Sequence, residues 1–344
     1  MGTKLADIIE AQTLALTDLS GKTLAIDAFN TIYSFLATIR QPDGTPLTDR
    51  HGRVTSHLSG LFYRNVNLLE NGISPVYVFD GESPELKAAE VQRRREIRDS
   101  AYEEWKIAKE EGRIEDARRA GQASSRLTGP MIDESKDLLH ALGIPVIQAP
   151  SEGEAIAAQM ARDNLVWASA SQDNDSLLYN CPRMIRNLSI SGRRRVARSQ
   201  KYKNIDPELI VLDINLKLLG ISREQLIDIA ILVGTDYNDG VKGIGPKTAL
   251  KLVKGHSNLE GIEKDRGEKF DIPYDEIREI FLHPPKMDIS APKWTDPKPN
   301  DIVKILCKEH DFSDSRVEKS LERLHEALEE NRGSTHQSAL SDFF

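Results

Sequence analysis

Cysteine is scarce: two in 344 residues, Cys181 and Cys307. They form no CxxC and no zinc-ligand spacing, which excludes a disulfide framework and a structural zinc site and points to a reducing, intracellular setting. Long apolar runs are also missing. No stretch is long enough to span a bilayer. The opening MGTKLADIIE lacks the apolar core of a secretory signal, and Ala6 stands where a myristoylation motif needs Ser or Thr. Internal repeats and low-complexity tracts are absent. The net charge of −8 argues against a general nucleic-acid coat. One absence is local. Between Ser176 and Ile205 there is no acidic residue, while Arg183, Arg186, Arg193, Arg194, Arg195, Arg198, Lys201 and Lys203 are basic. QRRREIR, from Gln92 to Arg98, is a second basic cluster. Local patches of this kind govern binding more than the total charge does.

What is present suits a soluble globular chain, 39% apolar and 29% charged. Short apolar runs alternate with amphipathic periods over the first 206 residues. KTLAIDAFN reads as a strand ending at Asp27, HLSGLFYRNVNLLENG as a helix, and SPVYVFDG as a strand ending at Asp80. MIDESKDLLHALG is a helix, IPVIQA a strand, EGEAIAAQMARD a helix, LVWASAS a strand, and RMIRNLSI a candidate fifth strand. This β–α–β–α order predicts an α/β fold with a mostly parallel central sheet covered by helices. Residues 84–126 are helical in composition but too polar to be core. Beyond Asp206 the pattern is helical: PELIVLDINLKLLG, SREQLIDIAILVG and GPKTALKLVKG each end at glycine. His283 to Asp301 is proline-rich and reads as extended, and DSRVEKSLERLHEALEENR is a last helix before a polar tail.

The acids fall where the strands end. Asp27 and Asp80 close the first two strands. Glu152 and Glu154 follow the third, and Asp173 and Asp175 the fourth. In a parallel sheet these ends share one edge, where ligands bind. Asp236, in LVGTDYND, is a seventh candidate. A single Asp after a strand is usually a helix N-cap; six acids at four strand ends require neutralisation, because crowded carboxylates repel. Hard divalent cations take oxygen ligands, and two of them can clamp both the attacking and the leaving oxygen of a phosphodiester. The turn at Gly153 lets Glu152 and Glu154 address different parts of one ion cluster.

Other residues suit phosphate handling. GVKGIGPKTAL sets Gly240, Gly243 and Gly245 before a helix starting at Pro246, with Lys242 and Lys247 beside it. Backbone N–H groups at such a helix start can hold a phosphate; the Walker A spacing is absent, and a tight helix–helix turn is the plainer alternative. Lys87 and Arg94 are seven apart, two turns along one helix face, and would stabilise charge on a transferring phosphate. Tyr33 is either a base-stacking aromatic or a core tyrosine.

IDAFNTIYSFL, VYVFDG, PSEGEAIAAQMA, SASQDNDSLLY, LVGTDYNDGVKGIGPKTAL and the terminal QSALSDFF together resemble the XPG-type 5′-nuclease family, its archaeal flap endonucleases most, over nearly the whole chain. The resemblance implies a PIN-like 5′-nuclease fold. Residues 1–330 would form one nuclease domain: 1–83 the first part of the α/β core, 84–130 a helical arch, 131–206 the rest of the core, and 207–330 a helical DNA-binding part with a helix–turn–helix. Residues 331–344 would be a flexible tail. It implies that Asp27, Asp80, Glu152, Glu154, Asp173, Asp175 and Asp236 bind two Mg²⁺ (Mn²⁺ substituting), that Lys87 and Arg94 are catalytic, and that Tyr33 stacks near the cleaved nucleotide. It implies a K⁺ at the Gly240–Gly245 hairpin. Gln337, Leu340, Phe343 and Phe344 match a sliding-clamp (PCNA) peptide. Asn180 stands where the family often has glycine, and Asn174 replaces a larger residue. The expected activity is 5′-flap endonuclease and 5′–3′ exonuclease in replication and repair, by a monomer acting on branched DNA in the cytoplasm. A PIN-like ribonuclease, a non-cleaving junction binder and a small-molecule phosphatase are the rival readings; the arch, the full acid set and the clamp peptide respectively speak against them.

Overall fold

The chain first enters the sheet at its edge, in a two-residue strand, β1 (Gln12–Thr13). The buried run TLAID makes β2 (Thr23–Asp27), and α1 (Ala28–Thr38) starts at once because Asp27 caps it, accepting from Asn30 N at 3.0 Å. Then come α2 (Ser56–Glu70) and β3 (Ser74–Phe79). A 3₁₀ turn at Glu85–Lys87 leads into α3 (Ala88–Glu110) and α4 (Ile114–Ala123), the predicted arch. The core resumes with α5 (Gly129–Ala141), β4 (Val146–Gln148), α6 (Gly153–Arg162), β5 (Ala168–Ala170), α7 (Asp175–Leu178) and β6 (Arg183–Arg186). A hairpin of β7 (Gly192–Arg195) and β8 (Tyr202–Ile205) precedes β9 (Glu208–Val211). The helical part comprises α8 (Leu212–Leu219), α9 (Arg223–Val233), α10 (Pro246–Gly255), α11 (Leu259–Arg266), α12 (Tyr274–Leu282), α13 (Pro299–Val303) and α14 (Asp314–Ser341). This is a computed structural model; it describes residues 3–188, 192–195, 202–256 and 258–341, with backbone alone at 192–195, 202–204 and 332–341. The basic side chains of Arg193, Arg194, Arg195, Arg198, Lys201 and Lys203, and the side chains of Gln337, Leu340, Phe343 and Phe344, lie outside what is described.

The main sheet has the order β1-β9-β6-β5-β2-β3-β4. β2 pairs in parallel with β3 and β5, β3 with β4, and β5 with β6. The expectation of a mostly parallel sheet is met, and the C-terminal ends of β2 to β5 share one edge. Each face carries a core. One joins Val76, Val78 and Met184 to α6, α9, α10 and α12; the other joins Leu24, Tyr77 and Phe79 to α1, α2, α5 and α14. No helix among the described residues is long and apolar enough to cross a membrane.

Three departures from the sequence expectations stand out. PELIVLDINLKLLG is not one helix. Its first part is β9, antiparallel to both β6 and β1, and the helix starts only at Leu212. Ile210 and Val211 are β-branched and β6 offers an open ladder, so sheet pairing overrides helical periodicity. The hairpin β7–β8 was also not anticipated. And α14 continues to Ser341, past the predicted start of the tail.

The arch is tied down at its far end. Gly44 and Gly121 meet so closely that a Cβ on Gly121 would lie 2.7 Å from Gly44 O. Trp105 Nε1 donates to Asp43 O at 3.0 Å, Lys109 Nζ to Thr45 Oγ1 at 2.7 Å, and Arg40 to Ser125 Oγ at 2.9 Å. Nearby, Asp49 organises the next turn. It accepts from His51 N and Arg53 N, both at 2.9 Å, and from Arg53 Nε at 2.7 Å. His310, from the C-terminal layer, sits 3.4 Å from the same carboxylate.

Candidate active site

The shared sheet edge and the arch enclose a cavity of about 450 Å³. Its lining includes all seven predicted carboxylates, Asp27, Asp80, Glu152, Glu154, Asp173, Asp175 and Asp236, together with Lys87, Arg94 and Tyr33. The fold therefore brings together, from points up to 209 positions apart in sequence (27 to 236), what the sequence placed at strand ends.

Each acid is held by something specific. Asp27 serves as the cap of α1 and lines the cavity as well, so capping does not remove it from the candidate site. Asp80 Oδ1 accepts from Gly153 N at 2.7 Å. A Cβ on Gly153 would lie 2.6 Å from that oxygen, so only glycine lets the chain pass between Glu152 and Glu154. Ser171 Oγ donates to Glu154 at 2.7 Å, Asn30 Nδ2 to Asp173 at 3.0 Å, and Thr3 N to Asp175 at 2.8 Å. Asn174, the departure inside the Asp-x-Asp, turns inward and donates to Thr3 O at 3.1 Å. Asn180 takes φ 62, the left-handed conformation a glycine would supply; asparagine tolerates it better than other side chains.

The electrostatics are those of crowded anions. Burial and the charge of Asp80 push Asp27 well above the usual carboxylate range. Burial, then Glu152, raise Asp80 to about 6. Burial, then Asp236 and Asp173, raise Asp175 to about 6. Burial and the charges of Asp175, Asp27 and Asp173 raise Glu154 as well. Two cations offset part of this. Lys87 Nζ lies 2.7 Å from Glu152 Oε2 and 3.2 Å from Asp236 Oδ2, and Arg94 bonds Asp236 from the other side. Burial works against the lysine's charge, but Glu152 and Asp236 outweigh it and hold Lys87 above its ordinary value.

Among the described residues no three His, Cys, Asp or Glu side chains are set to hold a metal ion as they stand. The donor set nevertheless suits one: it is all oxygen, it is over-supplied with negative charge, and ammonium and guanidinium groups already lie on it. Hard divalent cations have that ligand preference.

The remaining predicted residues line up differently. Tyr33 is half-buried at the cavity wall, and its ring is stacked by the Arg98 guanidinium at 4.7 Å. The Gly240–Gly245 hairpin joins α9 to α10 away from the cavity lining. Gly240 and Gly243 have φ 75 and 83, the left-handed region that glycine enters freely. Gly245 is the N-cap of α10, with no side-chain cap. Lys242 and Lys247 are exposed beside it. Sequence reasoning missed the residues that hold the acids, Asn30, Ser171 and the Thr3 backbone, and Glu90, which pairs with Arg94. Asn30 and Ser171 carried a faint signal, three residues after Asp27 and two before Asp173. The pairing of Thr3 with Asp175 carried none.

Comparison with known proteins identifies the family. The XPG N-terminal domain matches residues 1–101 and the XPG I-region residues 143–236. Flap endonuclease 1 of Pyrococcus furiosus is 52% identical over 343 residues, 98% of this chain and 99% of that one. The Saccharolobus solfataricus protein of the same name is 49% identical over 99% of each chain. Among solved structures, flap endonuclease-1 from Methanococcus jannaschii aligns with TM-score 0.70 and 41% identity over 96% of this chain and 100% of that one. The catalytic core of Rad2 in complex with DNA substrate aligns with TM-score 0.71 and 25% identity over 94% and 100%.

Proposed function

The chain belongs to the flap endonuclease family of XPG-type nucleases, and from that we propose how its residues divide the work. The activity is that of a structure-specific flap endonuclease, which binds DNA and depends on a divalent metal. The observation that supports the assignment of residues is the single cavity that holds seven carboxylates, Lys87 and Arg94 under the arch.

Asp27, Asp80, Glu152, Glu154, Asp173, Asp175 and Asp236 would hold two divalent ions, Mg²⁺ by ligand hardness. Such ions supply positive charge beside phosphoryl oxygens and acidify water. Lys87 and Arg94, now on Glu152 and Asp236, transfer to the non-bridging oxygens of the scissile phosphate, where charge grows as the bond breaks. Water adds to phosphorus and the 3′ oxygen departs, leaving a 5′ phosphate and a 3′ hydroxyl. Tyr33 stacks on a base beside the cut once Arg98 releases its ring. The Gly240–Gly245 turn, with Lys242 and Lys247 exposed beside it, would hold a duplex backbone, and a K⁺ bound there would add positive charge for the phosphates. The sequence pattern of Gln337, Leu340, Phe343 and Phe344 supports docking to a sliding clamp, through aliphatic and aromatic anchors in an apolar pocket. The enzyme acts as a monomer.

The test uses 5′-labelled double-flap DNA with Mg²⁺, with EDTA, and with Asp173→Ala. Mg²⁺-dependent cutting at the flap base, lost in the variant, is expected. Binding without cutting under every divalent ion would overturn the assignment. Duplex affinity that ignores K⁺ would remove the K⁺ site, and clamp binding that survives Phe343→Ala/Phe344→Ala would remove the clamp peptide.

A further inference from the structure

Arg94 has a second carboxylate partner, and it lies outside the acidic cluster. Glu90 sits one turn earlier on α3, with its side chain only 11% exposed. Its Oε1 accepts from Arg94 Nε at 2.7 Å, and its Oε2 accepts from Arg93 Nε at 2.7 Å. Arg93 is on the outer side, 54% exposed, and closes the second oxygen of Glu90 toward solvent. On the other flank, Arg94 reaches Asp236. The guanidinium is thus stretched between a carboxylate of the cavity and a carboxylate of the arch helix. Glu90 itself lines a smaller space of about 170 Å³ behind the arch base, with Leu86, Ala89 and Asp236.

We propose that Glu90 is the positioning residue for Arg94. The guanidinium is a planar fork, so fixing its Nε edge fixes where its amino groups point. When a phosphate takes the place of Asp236, Arg94 keeps the Glu90 contact and presents to the phosphate the same amino edge that now meets Asp236. Glu90 also pulls against the acidic cluster. Without it, seven carboxylates draw the arginine inward, where it competes with the cations the site needs. An exposed pair at this spacing would do little; the burial of Glu90 and the shared oxygens give this one a defined geometry. The inference rests on the reading of Arg94 as a group that touches the scissile phosphate.

The experiment compares wild type, Arg94→Ala, Glu90→Gln and the double variant. It measures single-turnover cleavage of a 5′-flap DNA in Mg²⁺, flap affinity in EDTA, and Tm. Gln keeps the shape of Glu90 but loses its charge and presents an amide to one of the two arginines. Losing a charge-assisted hydrogen bond that orients the reacting end is expected to slow cleavage roughly ten- to hundred-fold, with affinity and Tm unchanged. In the Arg94→Ala background the same substitution should change nothing further. Glu90→Gln as fast as wild type, with Arg94→Ala slow, overturns the role of Glu90 alone. Full additivity of the two losses, or a matching fall in Tm, shows a structural role and overturns it too. Arg94→Ala as fast as wild type overturns the arginine's role and takes that of Glu90 with it.

Discussion

Asp175→Asn should stabilise the metal-free protein while it destroys the enzyme. Asp175 is buried, and its carboxyl is raised from 3.8 to about 6 by burial and by Asp236 and Asp173. A raised carboxylate pKa means the folded chain holds the proton more tightly than the unfolded chain. Stability is therefore lost as pH climbs from the unfolded value to the folded one, and the loss is complete above about 6. A difference of that size between the folded and unfolded carboxyl corresponds to about 3 kcal/mol. Asparagine removes the charge and still accepts from Thr3 N, now in a neutral hydrogen bond that is weaker by roughly 1 kcal/mol. A net gain of about 2 kcal/mol remains, or roughly 3 °C in Tm for a chain of this length at about 2.1 cal/mol/K per residue. The assay is thermal unfolding in EDTA at neutral pH and again near the unfolded pKa, with flap cleavage in Mg²⁺ alongside. The gain should be present at neutral pH, vanish in acid, and shrink when Mg²⁺ neutralises the wild-type cluster. A variant no more stable than wild type at neutral pH in EDTA, or equally favoured in acid, would refute the account of repelling buried carboxylates.

Gly153→Ala should cut cleavage by at least roughly a hundredfold, because its Cβ would lie 2.6 Å from Asp80 Oδ1 and force two acids apart; near-normal cleavage would show that the passage is not tight. Gly121→Val should loosen the arch, since even a Cβ there would meet Gly44 O at 2.7 Å. Faster proteolysis between α3 and α4 and slower flap cleavage, with duplex affinity kept, are the expected readings. Asp49→Asn should cost stability at neutral pH and cost nothing in strong acid. Burial works to raise the Asp49 carboxyl, but hydrogen bonds from Arg53 and His51 outweigh it and hold it at about 2, below its ordinary 3.8. A depressed pKa contributes stability above 3.8 that is lost as pH falls through about 2, so urea midpoints of the two proteins should converge over that window.

Sequence alone placed six of the seven acids together because strand ends are readable; Asp236, just after α9, is not at a strand end. Apolar runs such as TLAID and PVYVF stop at the acid itself or one residue before it, and parallel topology gathers those stops. It reached Lys87 and Arg94 by helical spacing. What it missed depends on contacts between distant segments. Residues 208–211 become a strand only because β6 and β1 present edges on either side of them. Glu90 reads as one more charge on a polar helix until Arg94 is seen bridging it to Asp236. Thr3 means nothing until the chain returns with Asp175, 172 positions later.

That separation has a consequence during synthesis. A chain made from its N-terminus has Asp27, Asp80 and the arch long before it has Asp236, and Lys87 and Arg94 find their shared partner only when residue 236 has emerged and α9 has packed. Trp294 then ties the late extended segment back to Pro75 O at 2.7 Å. If the seventh acid is required, a nuclease that receives it only after two-thirds of the chain (236 of 344) should not cut while nascent. Products that stop short of residue 236 would carry six of the seven carboxylates and lack the one that Lys87 and Arg94 share.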